Sequence, residues 1–371
     1  MLAARPAAPA LAQRQALRNT NSGLRIARPA GLCRGLSLAF VAPVSSRRAL
    51  IAAALLACAL VAGCDGGDDE GSENPPPPVA KPEQFPKASG KTLADLRKGL
   101  GRGGPVLAPS VSALTTGKNR FAFGLFTRER GQIADASVAV YVAEARGGGA
   151  KGPYVARWES LEVRPQFQSR QTAGDPNAAK SVYVAEVPFE APGSYEVLGL
   201  AKLDDRLVAA TSASAAFPVV KASEDPIPAP GDRAPRIHTP TEADVGGDLA
   251  AIDTRLPPSS MHESDFADVV GKEPVALLFA TPQLCQSRVC GPVVDIAEQV
   301  KADRGDDLEF IHMEVFRDNQ VEKGVRPQLA AWNLQTEPWL FTVDAGGRVA
   351  ARLEGAFSER ELVEAIEKAT E

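Results

Sequence analysis

Between residues 105 and 222 apolar and polar positions alternate with a period of two. Asn119–Thr127, Ala136–Ala143, Tyr154–Val163, Ser181–Phe189, Tyr195–Ala201 and Leu207–Val220 are rich in Val, Tyr, Phe and Ala, and clusters of Gly, Pro, Asn and Asp separate them. Successive side chains of a strand point to opposite faces, so this pattern predicts several short strands joined by turns. Strands at such spacing point to an all-β sandwich. Beyond residue 258 the pattern changes. Val275–Ala280 is a continuous apolar run of strand length, and Leu308–Phe316 reads as a second buried strand. Between them Val294, Ile296, Ala297 and Val300 recur at helical spacing. Arg326–Leu334 predicts a short helix. Leu340–Val343 and Arg348–Glu354 predict two strands about the turn Asp344–Gly347. Ser358 and Glu361 form a capping box for a last helix running to about Lys368. The chain therefore predicts two folded domains, 105–222 all-β and 259–371 α/β.

The ends of the pattern carry other signals. Residues 1–63 hold no Asp or Glu, and Arg47-Arg48 precede the apolar run Ala49–Val61. A charged start, a short apolar core and the small residues Ala62-Gly63 make a secretory signal. The run is too short to span a bilayer, which needs about 20 residues. Val61-Ala62-Gly63-Cys64 resembles the bacterial lipoprotein box. That resemblance implies lipidation of Cys64, loss of residues 1–63, and membrane lipid as a partner on the extracytoplasmic face of the cell membrane. The acid-free stretch 1–45 ahead of a complete signal reads as an over-called start. Residues 64–104, with the run Pro75–Pro78, read as a disordered tether. Proline and acid content mark 223–258 as a linker and entry segment.

Composition narrows the chemistry. A formal net charge of −5 with 23% charged residues gives no electrostatic case for a nucleic-acid partner. Residues 105–222 contain neither His nor Cys, so no catalytic set is visible there. Gly147–Gly149 has no Lys-bearing helix after it and reads as a loop, not a phosphate cradle. Of five cysteines, Cys33 and Cys58 lie in the presequence and Cys64 ends it. Cys285 and Cys290 remain, and within one chain they pair only with each other.

Their spacing carries a geometric consequence. Residues five apart on one helix are separated by about 7.5 Å of rise. A disulfide wants Cα atoms about 4.4–6.8 Å apart. Either Cys285 sits in the loop before the helix, or oxidation unwinds the first turn. Pro292 favours a helix starting at Gly291-Pro292. Cys285 is then the more exposed, nucleophilic thiol, its pKa lowered by the helix N-terminus and by Arg288, with Cys290 as resolving partner. A static staple is the alternative, but so short a loop contributes only about 2 kcal/mol.

Three further stretches carry a resemblance. Pro230-Gly231-Asp232-Arg233-Ala234-Pro235, the run Asp265–Thr281 with its Gly271-Lys272 turn, and Pro338 ahead of a late strand resemble, in that order, the thioredoxin-like superfamily. Pro192-Gly193-Ser194-Tyr195 resembles the turn into a late strand of immunoglobulin-like modules. Together they imply an N-terminal all-β immunoglobulin-like sandwich and a C-terminal α/β thioredoxin-like fold. The thioredoxin resemblance further implies a cis Pro338 facing the cysteines, Glu337 and Trp339 shaping a substrate groove, protein thiols or disulfides as partners, and neither cofactor nor metal. The chain departs from that pattern in having four residues between its cysteines, no preceding Trp and no acid in Val275–Ala280. The function expected is a lipid-anchored thiol–disulfide oxidoreductase. The alternatives are a thiol peroxidase, for which Thr281-Pro282 stands one residue out of register with Cys285 and Leu278 replaces a proline, a copper-handling protein using His312, and a non-catalytic scaffold.

Overall fold

The computed structural model describes residues 79–101 and 103–371. The signal region, Cys64 and the proline run lie outside the described residues. The first described elements are α1 (Leu93–Arg97), β1 (Val106–Pro109), β2 (Leu114–Thr115), β3 (Gly117–Phe126), β4 (Ser137–Glu144), β5 (Lys151–Ser160), α2 (Arg170–Gly174), β6 (Ser181–Phe189), β7 (Gly193–Leu203), β8 (Arg206–Ser212) and β9 (Phe217–Val220). Hydrogen-bonded neighbours run β7-β4-β5-β6-β3-β1-β8, and β8 pairs back onto β7. The ring is closed, a seven-stranded barrel, and it is mixed because β1 and β8 run parallel.

This corrects the immunoglobulin-like sandwich. The physical reason lies in Leu207–Val220, which reads as one strand but breaks after Ser212. Its first part pairs with Leu198–Leu203 and its second with Gly193–Tyr195. The outer edge of β8 is thereby free to take β1, and the barrel closes where a sandwich would leave edges. Gly199 permits the close approach: a Cβ there would stand 2.8 Å from Leu107 Cδ1 and 3.1 Å from Ala210 Cβ.

Within the segment expected as a tether, residues 79–101 are folded against the barrel. Phe85, Ala88 and Leu96 are buried in an apolar cluster with Tyr141, Leu198 and Leu200. Tyr141 Oη donates to Pro86 O at 2.6 Å. Thr92 and Asp95 cap α1 reciprocally. The leader is thus a coat on the outer face of the barrel.

The remaining elements are α3 (Phe266–Val269), β10 (Val275–Ala280), α4 (Cys290–Arg304), β11 (Glu309–Glu314), α5 (Pro327–Ala331), β12 (Trp339–Val343), β13 (Val349–Glu354) and α6 (Glu359–Thr370). They form a four-stranded sheet ordered β11-β10-β12-β13, with β10 and β11 parallel and the other pairs antiparallel. The α/β thioredoxin-like fold is not supported. The described chain is predominantly β, a closed barrel plus this sheet. Among the described residues there are six α-helices, of which α1, α2, α3 and α5 have five residues or fewer. Of the stretches that carried the resemblance, Pro230–Pro235 forms turns and an isolated bridge, and Asp265–Thr281 holds only the four-residue α3 ahead of β10. Residues 223–258, expected as a linker, bury Ile227, Ile237, Ile252, Asp253, Thr254 and Arg255.

β10 is wholly apolar because both its faces are covered. Ala276, Leu278 and Ala280 join a cluster that runs continuously through α4 and α6 into the barrel core at Phe121 and Phe123. Val275, Leu277 and Phe279 pack on the opposite side with Phe266, Trp332 and Phe341. The two expected domains therefore share one core, and the described residues all fall within one compact unit. A charged clamp reinforces the seam. Glu361, 3% exposed, accepts from Arg120 Nε at 2.8 Å and Nη2 at 2.7 Å, and from Arg157 Nη2 at 2.6 Å. Arg120 also donates to the carbonyls of Glu354 and Ala356.

Burial opposes ionisation of Glu361, but the hydrogen bonds and charge of Arg120 outweigh it and hold its pKa below the ordinary value. Its contribution is present above the unfolded pKa and is lost as pH falls through the folded one. Arg120→Ala leaves a buried carboxylate short of its main partner and should cost about 3–5 kcal/mol in urea unfolding at neutral pH. The gap from the wild type should narrow as the medium is acidified; a gap independent of pH would show that Glu361 is not the group involved.

Candidate functional site

β10 ends at Ala280, and the chain loops through Thr281–Val289 before α4 begins at Cys290. Cys285 lies in that loop, half-buried, and its backbone N–H donates to Thr281 O at 3.2 Å. Its Sγ is 3.1 Å from Ser287 Oγ. Cys290, at the first helical position, is 0% exposed. Both thiols are free.

The two sulfurs differ in electrostatics. The Cys285 thiol is lowered to about 6. The hydrogen bond from the Cys290 thiol is the largest cause; Ser287 and the backbone N–H groups of Cys290 and Val289 add to it, against burial. These backbone donors are the unsatisfied groups of a helix N-terminus. Burial drives the Cys290 thiol well above its ordinary value. Glu337 is pushed up to about 7, first by burial and then by the charges of Cys285 and Glu314.

Arg288 plays a different part from the one expected. Its φ is +59°, its guanidinium lies 3.0 Å from Asp175, and its carbonyl accepts from Ala179 N at 3.3 Å. It ties the loop to the barrel. The Glu337–Pro338 peptide is cis, and Pro338 is buried with its carbonyl accepting from Gly355 N at 2.8 Å. Trp339, expected in a substrate groove, is 2% exposed, stacks on Phe341 at 5.6 Å and donates from Nε1 to Thr336 Oγ1. It is a core residue.

Cys285 opens into a cleft of about 310 Å³. Pro282, Gln283 and Pro292 form one wall, and Gln171, Thr172 and Asp175 from the barrel's α2 segment form the other. Gly291 is needed here, since a Cβ would stand 2.9 Å from Thr172 Oγ1. On the other side of Arg288, loop residues Gln286–Val289 line a larger cavity of about 630 Å³ against Val106, Phe126 and Arg128 of the barrel.

A second cluster lies in the interior. Asp253, His262 and His312 are 2%, 3% and 1% exposed. Asp253 Oδ2 accepts from Ser259 N at 2.7 Å and lies 3.0 Å from His262 Nε2 and 3.3 Å from His312 Nδ1. Burial alone would raise the Asp253 pKa; the charge of His312 and hydrogen bonds from both imidazoles hold it well below the carboxylate range. His312 Nε2 faces Ala280 O at 3.1 Å, and Ser259 Oγ lies 3.2 Å from its Nδ1. His312 Nδ1 thus faces Asp253 and Ser259 and its Nε2 faces Ala280 O, contacts that lend no support to a copper site built from Cys285, Cys290 and His312. Asp253 and His262 were missed because they fall in irregular backbone, where no periodicity marks a facing pair.

No family model matches the chain, and no curated protein matches its sequence. Among the described residues no helix is long and apolar enough to cross a membrane.

The thiol electrostatics are measurable by alkylation. The iodoacetamide rate at Cys285 should rise with pH about a midpoint near 6, the thiolate being the reactive form above it. Cys290→Ala removes the largest stabilising influence and should move that midpoint upward, toward the ordinary thiol value. An unmoved midpoint would show that the backbone donors alone hold the thiolate.

Proposed function

We propose that the chain is a thiol–disulfide oxidoreductase held at the extracytoplasmic face of a membrane through a lipidated Cys64. The observation that carries the reading is the asymmetry of the pair: a half-buried Cys285 lowered to about 6 beside a fully buried Cys290. The Cys285 thiolate attacks a substrate disulfide, forming a mixed disulfide and releasing one substrate thiolate. Cys290 then gives up its proton, with Glu337 the nearby carboxyl suited to take it near neutral pH. Its thiolate attacks Cys285 Sγ and releases the second substrate thiolate. The substrate disulfide is reduced by two electrons and the protein pair is oxidised to a disulfide; an external dithiol restores it. The reverse sequence oxidises a substrate dithiol. Stabilising the Cys285 thiolate stabilises the reduced pair, which makes the pair the more oxidising. The peroxidase reading has less support, because Thr281 is 0% exposed and its hydroxyl does not reach the cleft.

The test is trapping. Cys290→Ser should accumulate a mixed disulfide with glutathione on Cys285, seen by mass spectrometry, whereas Cys285→Ser should form none. Glu337→Gln should slow the resolving step on the order of 10²-fold while leaving Cys285 reactive. The Cys285/Cys290 couple should lie above about −300 mV, the region of structural disulfides. A lower potential, or no adduct in Cys290→Ser, would remove the oxidoreductase reading. Cys64→Ser should release the protein from the membrane fraction.

A further inference from the structure

We propose that Asp253, His262 and His312 bind one divalent transition-metal ion of the class of zinc, in a closed site behind the thiol loop. Their ligand atoms all lie within 4.8 Å of one another. Two edges of the triangle, 3.0 Å and 3.3 Å, match the separation of neighbouring donors about a tetrahedral ion with bonds of about 2.0 Å. Two imidazoles and one carboxylate are the donor set that suits zinc and its neighbours better than calcium or magnesium.

The surroundings supply what a metal ligand needs from its neighbours. Without the ion His312 Nδ1 donates to Asp253; with it, Nδ1 would give up that proton and turn its lone pair to the metal, while Ala280 O holds the proton on Nε2. A backbone carbonyl on the far nitrogen is the usual way of orienting a ligating histidine. Ser259 N and Arg255 N each hold one oxygen of the Asp253 carboxylate. Ser259 Oγ, 3.2 Å from His312 Nδ1, is an oxygen beside the triangle that could serve as a fourth ligand. His262 presents Nε2 to the triangle, and its Nδ1, on the other side of the ring, is buried without a partner among the described residues.

A site this enclosed is filled as the chain folds, not by exchange afterwards. The ion would fix the end of β10 through Ala280 and His312, and so the root of the loop that carries Cys285. It takes no electron and forms no bond to sulfur, which keeps this inference independent of the exchange chemistry.

The experiment is metal analysis of the whole chain expressed in zinc-supplemented medium, by inductively coupled plasma mass spectrometry. Near one equivalent is expected in the wild type and in the Cys285→Ser/Cys290→Ser double variant. Loss to below a tenth of an equivalent is expected in His262→Gln and in Asp253→Asn. Protein grown in chelator-treated medium should melt roughly 5 °C or more lower than the loaded form. Should the cluster variants fail to fold, cobalt-loaded wild type decides: visible d–d bands without thiolate charge transfer support the site. Metal-free protein from supplemented medium, or metal lost with the two cysteines, overturns it.

Discussion

A carboxylate that leaves water must take its cations with it. Glu361 sits near the start of α6, at 3% exposure, and its cations come from two barrel strands, Arg120 of β3 and Arg157 of β5. Desolvating that charge is tolerable only while barrel and sheet stay together. The same seam is filled by apolar side chains from Phe121 to Ile366. Direction and hydrophobic area therefore act jointly: the shared core supplies the area, and the bidentate Arg120 fixes the register of α6 on the barrel. Whatever chemistry the thiols perform depends on this seam, because the barrel forms half of their cleft.

The barrel reaches the thiols through the segment between β5 and β6. Asp295, buried on α4, accepts from Ser169 N at 3.1 Å and from Arg255 Nε at 2.9 Å, while Arg255 Nη2 reaches Phe167 O at 2.7 Å. Gln299, one turn further along α4, accepts from Arg164 N. The helix that carries Cys290 is thus fixed to the barrel by buried polar bonds, which are specific in direction as apolar packing is not. α2 then stands over Gly291 and closes the cleft.

Much of this was legible in the sequence and some was not, for local reasons. β3 and β5 to β7 were legible because polar or half-exposed positions interrupt their buried ones, and β4, buried on both faces, was legible as a short apolar run between turn residues. The last barrel strand was not, since Leu207–Val220 keeps its alternation across the break at 213–216 and only pairing reveals two strands. The all-β class of 105–222 could be read; closure of the barrel could not, because it rests on Gly199, Ala210 and the short β1. The apolar runs after residue 258 showed that strands and helices exist, yet not that they share a core with the barrel. At the site, the place of Cys285 in the loop before the helix followed from Pro292 and the five-residue spacing, while the helix starts one residue earlier than expected, at Cys290. The Asp253 cluster is three residues from three separate stretches, and nothing in a single stretch announces it.

The thiol loop is held at several points and free between them. Behind it, Ala280 O meets His312 and Gln283 N donates to Thr254 Oγ1 at 3.1 Å. In front, Arg288 is tied to Asp175 and Ala179. Between Gln283 and Arg288 stand Leu284, Cys285, Gln286 and Ser287, with Cys285 held by the turn to Thr281 O. In the proposed exchange reaction the nucleophile would have to meet a substrate sulfur and then Cys290, which takes room to move, whereas a resolving thiol needs none. Cys290, at 0% exposure on a pinned helix, cannot approach a large partner. The five-residue spacing suits both requirements of that proposal, with Cys285 in the loop outside the helix and Cys290 at its first turn.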